Sequence, residues 1–283
     1  MHNLKYQHKD DIVRNFSSGI YPLPLNIDNK LKSSNIFINS FIDTEYEDKF
    51  NDLISKFNKD SIIWGIRDIN GKLEWELYFY NNTVDQIKSQ KIVSEIFDLP
   101  TLIELPKQFM WSFDINDKNE KRVDYYFINK IPLHPENLMS SGTGYTYDGK
   151  NIEFKNTYYS WNTTLDSLKK IKEQILNCSP FNVNLNIDDV LLPEIVDYYS
   201  SNENTITYIN TSNKRDSDSV YYSGLDISML IFCLHKFNYP KKQINFLEDN
   251  KDKFNHLLYD FGFNYKMNNN KLEIIKSGYY GQI

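Results

Sequence analysis

Adjacent aromatic residues recur along the chain: Tyr78-Phe79-Tyr80, Tyr125-Tyr126-Phe127, Tyr158-Tyr159, Tyr221-Tyr222 and Tyr279-Tyr280. Successive side chains of a strand point to opposite faces of a sheet, so each isolated pair sets one aromatic on each face. Charges run in step with some of these rings. Glu74 and Glu76 share a face with Tyr78 and Tyr80, and Arg67 stands on the strand opposite. Further on, Glu153, Lys155, Thr157, Tyr159 and Trp161 share one face. Near the end of the chain the pairing is either Glu273 with Tyr279 or Lys276 with Tyr280. Ring faces stabilise a cation. Basic side chains neutralise a buried polyanion through charge-assisted hydrogen bonds. A carboxylate whose pKa is raised by burial serves as a base. The candidates are therefore Glu74 and Glu76 as base, with Arg67, Lys155 and Lys276 as anion ligands. Tyr78, Tyr80, Tyr126, Tyr159 and Tyr280 would form an aromatic lining. The alternative is that the pairs express β-propensity and the charges mark a solvated sheet face.

Other motifs carry less. Ser141-Gly142-Thr143-Gly144 has the glycines of a phosphate cradle but lacks the Lys-Ser/Thr and the helix that should follow, and reads as a loop. His256 and Asp260 stand one helical turn apart with no further ligand, and read as a helix-surface pair. No Cys or His spacing suggests zinc.

The elements that must position these residues follow from periodicity. Thr44 and Glu47 form a capping box ahead of Tyr46, Phe50, Leu53 and Phe57, an amphipathic stripe. The first hairpin turns at Asn70-Gly71, and its return strand puts Leu73, Trp75, Leu77 and Phe79 on the face that should lie under helices. A helix spans about 85–97. Further hairpins pair 111–115 with 123–129, 144–147 with 152–161, 205–210 with 220–224, and 263–267 with 272–280. Leu165, Leu168, Ile171 (or Lys172) and Ile175 mark a helix, and a shorter one is expected near 193–199. Asp226 caps a helix apolar all round, which should be buried. A last helix carries Phe254, Leu257, Leu258 and Phe261 and stops at Gly262. Residues 130–142 show no helix. Residues 1–35 read as an irregular leader, with a short strand at Ile36, Ile38 and Ile42. No boundary divides 1–283, which reads as one domain.

Composition bounds the function classes. The 283 residues are 40% hydrophobic and 25% charged, as in a globular protein. Tyr (21) and Phe (18) are abundant together with Asn, Lys and Ile, the signature of an AT-rich coding sequence, which inflates the aromatic content. A net charge of −6 without a basic stripe argues against nucleic acid as a partner. No apolar run reaches membrane-span length. Two cysteines, Cys178 and Cys233, make no disulfide framework, and a reducing cytoplasm is the expected location.

The fold class expected is α+β. Five hairpins form a large antiparallel sheet, curled or closed into a barrel, with amphipathic helices on its outer face. Over about residues 44–283 this organisation resembles the soluble aromatic prenyltransferases, whose ten antiparallel strands come from repeated α-β-β-α units with the helices outside. The resemblance is architectural and carries no specific motif. It implies an allylic diphosphate held by basic lumen residues, magnesium accompanying that diphosphate, tyrosines shielding a carbocation, and an acidic residue taking a proton from an aromatic acceptor. The chain departs from that pattern at 130–142, where no helix joins the second and third hairpins. The competing function is a non-catalytic module that binds a ligand or protein partner through the same aromatic surface.

Overall fold

The structure is a computed structural model that describes residues 44–57, 62–80, 86–100, 103, 105, 108–115, 121–129, 138–162, 165–177, 184–201, 208–255 and 257–281. In chain order its elements are α1 (Thr44–Lys56), β1 (Ile62–Ile69), β2 (Lys72–Tyr80), α2 (Gln86–Phe97), β3 (Gln108–Ile115), β4 (Val123–Asn129), β5 (Leu138–Tyr147) and β6 (Ile152–Asn162). There follow α3 (Leu165–Asn177), a 3₁₀ turn (Ile187–Asp189), α4 (Pro193–Ser201), β7 (Tyr208–Lys214) and β8 (Asp218–Leu225). The chain ends with α5 (Ile227–Lys236), α6 (Lys241–Asp249), α7 (Lys251–Phe254), β9 (Tyr259–Asn268) and β10 (Lys271–Gly281). The leader and the short strand expected before α1 lie outside the described residues.

Each strand pairs antiparallel with its neighbours in sequence, and β10 pairs with β1, so ten strands close into a barrel. Two-residue loops start the process where backbone geometry allows it. Asn70 and Gly71 both have positive φ (55° and 83°), as do Asn269 and Asn270 (50° and 61°). That is the twist a tight hairpin requires. The Asp68 carboxylate accepts the Gly71 N–H at 2.7 Å and pins the first of these turns.

The outer wall of the barrel is the main core. Leu77 and Phe79 are fully buried, Trp75 nearly so, and Leu73 is half-buried. Phe50 of α1 packs between Trp64 and Trp75 at ring-centroid distances of 5.4 and 5.2 Å. Phe79 stacks on Trp111 at 4.4 Å. The sheet is therefore amphipathic in an unusual sense: its apolar face looks outward under the helices, which leaves the lumen to the other parity of residues.

Two expectations are corrected. Residues 257–261 do not continue a helix: Lys241–Asp249 is helical, and β9 already starts at Tyr259. The i, i+3, i+4, i+7 spacing of Phe254, Leu257, Leu258 and Phe261 imitates a helix. The alternation Tyr259, Phe261, Phe263, Tyr265 is the stronger pattern, because all four rings are buried on the outer wall. Likewise α5 is not buried all round: Leu230, Cys233 and Leu234 are fully buried, whereas Ser228 is exposed and Phe232 only half-buried.

Leu230→Ala should cost about 2–5 kcal/mol as a cavity-forming change, and Phe232→Ala distinctly less. Denaturant unfolding of the two variants measures this, and equal losses would contradict the sidedness of α5.

Candidate functional site

The lumen is built by one parity of each strand, and the two halves of the hairpins contribute differently. The five outgoing strands each bring a small residue to the middle of the wall: Gly65 on β1, Ser112 on β3, Gly144 on β5, Ser212 on β7 and Gly262 on β9. The five return strands each bring one tyrosine: Tyr78, Tyr126, Tyr158, Tyr221 and Tyr280. Together with Ile63 and Met110 they form a cluster separate from the outer core. The rings lie over the small residues. A Cβ at Gly65 would fall 2.4 Å from Tyr280 Cδ1, and one at Gly262 would fall 2.1 Å from Tyr221 Cδ1. Tyr78 contacts Tyr280 edge-on at 5.5 Å and Tyr126 at 5.9 Å, and Tyr126 contacts Tyr158 at 5.9 Å. Burial pushes the phenols of Tyr126, Tyr158, Tyr221 and Tyr280 upward, so they stay neutral.

Between this collar and the hairpin turns the lumen is ionic. Arg67 donates to Glu74 and to Asp114, each at 2.8 Å, and its guanidinium lies 3.9 Å from Glu76. Tyr280 donates its hydroxyl to Glu76 at 3.0 Å, which ties the collar to the charges. Lys155 pairs with Asp124, which also accepts from Thr146 at 2.6 Å. Lys214 donates to Asn264 at 3.0 Å. The mouth is reachable from solvent: the side chains of Asp114 and Lys155 are 30% and 29% exposed. Lys276 also lines a cavity of about 500 Å³ on the outer side of the rim, with Asp68, Leu272, Ser277 and Lys236.

These groups titrate differently because their fields differ. Burial would raise Glu76, but the charges of Arg67, Lys276 and Lys155 outweigh it and hold the carboxylate down at about 2. Burial and the neighbouring Glu76 push Asp114 up to about 6. Lys155, despite burial, is raised by Asp124. Burial lowers Lys276, and burial together with the repulsion of Lys155 lowers Lys214 to about 7.

Arg67, Glu74, Glu76, Lys155, Lys276, Tyr78, Tyr126 and Tyr280 thus meet in one lumen. Tyr159 does not: it packs against the outer core and Tyr158 takes the inward place. The cause is a bulge. Phe154 pairs with Tyr145 and Asn156 with Gly144, so Lys155 is an extra residue that reverses the alternation beyond it. A second bulge at Ile275 sets Lys276, with Tyr280, on the inner face. Tyr80 ends β2, and its side chain lies outside the described residues. Glu76 is no base with a raised pKa, because three cations surround it; that property belongs to Asp114. Asp114, Asp124, Lys214, Tyr158 and Tyr221 were missed. The same parity argument applied to 111–115 and 208–214 would have reached Asp114 and Lys214. The Ser141–Gly144 segment is part of β5, not a loop. A Cβ at Gly144 would fall 2.3 Å from Asn156 Oδ1. Asp260 lies on β9 rather than a helix, and His256 is outside the described residues.

No protein-family model matches the chain. Among curated proteins, one from Acanthamoeba polyphaga mimivirus, provisionally named a JmjC domain-containing protein, is 23% identical over 265 residues. The match covers 82% of this chain and 43% of that protein, so the chain spans less than half the length of its relative. Among the described residues no helix is long and apolar enough to cross a membrane.

Two measurements test the lumen. Gly262→Ala should destabilise by about 1–3 kcal/mol through collision with Tyr221. Much of that loss should vanish in a Tyr221→Ala background, since the two sites share one contact. The second concerns Asp114. Its folded pKa is raised, so the unfolded chain releases this proton at lower pH, and stability falls as pH rises from about 3.8 to about 6. Asp114→Asn should flatten that part of the stability–pH curve, and an unchanged slope would contradict the assigned environment.

Proposed function

We propose that the barrel is a small-molecule enzyme that transfers a prenyl group from an allylic diphosphate to an aromatic acceptor. The observation that carries this reading is the juxtaposition within one lumen of a basic mouth and a tyrosine collar, linked by the Tyr280–Glu76 hydrogen bond. It agrees with the architectural resemblance drawn from the sequence. The basic side chains Arg67, Lys155, Lys214 and Lys276 take the diphosphate. The prenyl chain extends among Tyr78, Tyr126, Tyr158, Tyr221 and Tyr280. The allylic C–O bond breaks and pyrophosphate leaves with its electron pair, stabilised by the cations. The ring faces stabilise the allylic cation and exclude water. An aromatic carbon of the acceptor forms the new C–C bond, and the proton it loses passes to Asp114, the mouth carboxylate pushed up to about 6. Magnesium, where required, would accompany the diphosphate and help neutralise its charge.

The relative's name suggests a different class, an oxygenase. A non-haem iron centre of that kind takes two histidines and a carboxylate. Among the described residues the one histidine is His235, exposed on α5 and paired with Glu248 on α6. No group of three or more His, Cys, Asp or Glu among them is arranged to hold a metal ion. The described lumen does not fit such a centre.

Calorimetric titration with dimethylallyl or geranyl diphosphate, with and without magnesium, should show binding that Lys155→Met weakens. With a phenol or indole acceptor, Asp114→Asn should bind the diphosphate normally and turn over about 10²–10⁴-fold more slowly. No binding at millimolar diphosphate would remove the proposal.

A further inference from the structure

The four lumen cations are not equivalent. Arg67 is held by Glu74 and Asp114 on neighbouring strands, and Lys155 by Asp124. The carboxylates of the mouth are thereby engaged. Lys214 on β7 and Lys276 on β10 are left over. Among the described residues neither has a carboxylate oxygen within ion-pair distance, and the polar contact shown for Lys214 is the neutral amide of Asn264. A buried ammonium without a partner is costly, and a lysine can avoid the cost by losing its proton. Arginine has no such option.

The surroundings of the two lysines settle the direction. Facing Lys214 are Lys155 on β6, Glu76 on β2, Asp124 on β4 and Arg67 on β1. Facing Lys276 are Glu76, Lys214, Arg67 and Lys155, with Asp114 on β3 and Tyr221 on β8 also within its field. The two lysines repel each other and share the field of Glu76, a carboxylate already committed to Arg67 and to the Tyr280 hydroxyl. Lys276 also shares the outer rim cavity with Asp68, Asp188, Asp189 and Lys236, and no ion pair joins it to these carboxylates among the described residues. What is missing is a carboxylate within ion-pair distance of both lysines.

We propose that Lys214 and Lys276 form a proton-coupled anion seat: an oxyanion such as a diphosphate binds between them, and its binding drives proton uptake by these lysines. The inference rests on the anion-binding part of the reading above and needs none of its prenyl chemistry. The sign follows from linkage. Burial and Lys155 hold Lys214 at about 7, and a bound anion would raise it. Below that pH the lysine is already charged and affinity is flat. Above it, binding must supply a proton, and affinity falls about tenfold per pH unit for each lysine involved. The protein would therefore release its anion on alkalinisation, and an arginine at either position would remove that lysine's share of the pH dependence.

The test uses inorganic pyrophosphate and calorimetry in two buffers of different protonation enthalpy, at pH 6 and pH 8, on the full chain and on Lys214→Arg. The arginine keeps the charge and removes the titration. Wild type should take up about one proton more than Lys214→Arg at pH 8 and an equal number at pH 6. Lys214→Arg should bind about tenfold tighter than wild type at pH 8. The ionisation of pyrophosphate and of Asp114 is common to both proteins and cancels in the difference. Lys276→Arg gives a second comparison if the first variant does not fold: it should take up fewer protons than wild type at pH 8. Binding with equal proton uptake in wild type and variants would overturn the proton-coupled seat and leave the anion site standing. Absence of binding at millimolar pyrophosphate at pH 6 would overturn both.

Discussion

Arg67 ties the ionic half of the lumen to its aromatic half. It projects from β1, the strand that β10 closes upon, and it reaches carboxylates on β2 and β3. Its charge keeps Glu76 ionised despite complete burial, and the ionised Glu76 is what the Tyr280 hydroxyl of β10 donates to. Four strands at the closing seam are thus cross-linked through one guanidinium. The worth of such a cluster lies less in net stability, since buried ion pairs recover little of their desolvation cost, than in position. A one-residue slip of β1 would turn Arg67 outward into the apolar layer and leave three carboxylates facing each other. The charges in this way fix the register at which the barrel closes.

The collar depends on a different constraint, which is space. Five tyrosines directed at one axis would fill the lumen if they stood upright. They do not, because the neighbouring outgoing strands carry Gly65, Gly144 and Gly262 at the points the rings cover. The rings of Tyr280, Tyr221 and Tyr158 lie against the wall in the room that these missing side chains leave, while Tyr126 shares a hydrogen bond with Ser112. The outward partners, Phe79, Tyr125, Tyr159, Tyr222 and Tyr279, pack in the apolar layer beneath the helices. One aromatic pair per return strand therefore serves both surfaces of the sheet. The glycine opposite decides how far the inner ring can recline.

Much of this was legible in the sequence, because period-two alternation and Asn-Gly chemistry are local. Leu73 to Phe79 declared its outer face, and Glu74 to Tyr78 its inner one, without reference to the rest of the chain. What escaped was whatever depended on non-local pairing. The bulge at Lys155 exists because β5 and β6 differ by one residue between two fixed registers, and nothing within 152–161 announces it. Tyr159 was consequently taken for Tyr158. The start of β9 was mistaken for a helix because a four-residue apolar spacing fits both periods until Phe263 and Tyr265 are counted. Closure of the sheet makes the interior charges buried, but the sign of their pKa shifts needs the partner across the lumen. Glu76 and Asp114 are register partners on β2 and β3, and what separates them is the charge around each: three cations hold Glu76 down, whereas burial and the charge of Glu76 push Asp114 up.

The lumen has a direction, and that direction limits what can occupy it. Charges gather toward the hairpin turns, where Lys155 and Asp114 meet solvent, and rings gather deeper, around Tyr78 and Tyr126. A molecule that satisfies both zones at once must be amphiphilic, with an anionic head at the mouth and an apolar body behind it. A purely apolar ligand would leave Lys214 and Lys276 without a counter-charge. A small inorganic anion would leave the collar uncovered. The allylic diphosphate proposed as substrate would meet both demands, and the closed wall would give a reactive cation derived from it a site lined by ring faces rather than water.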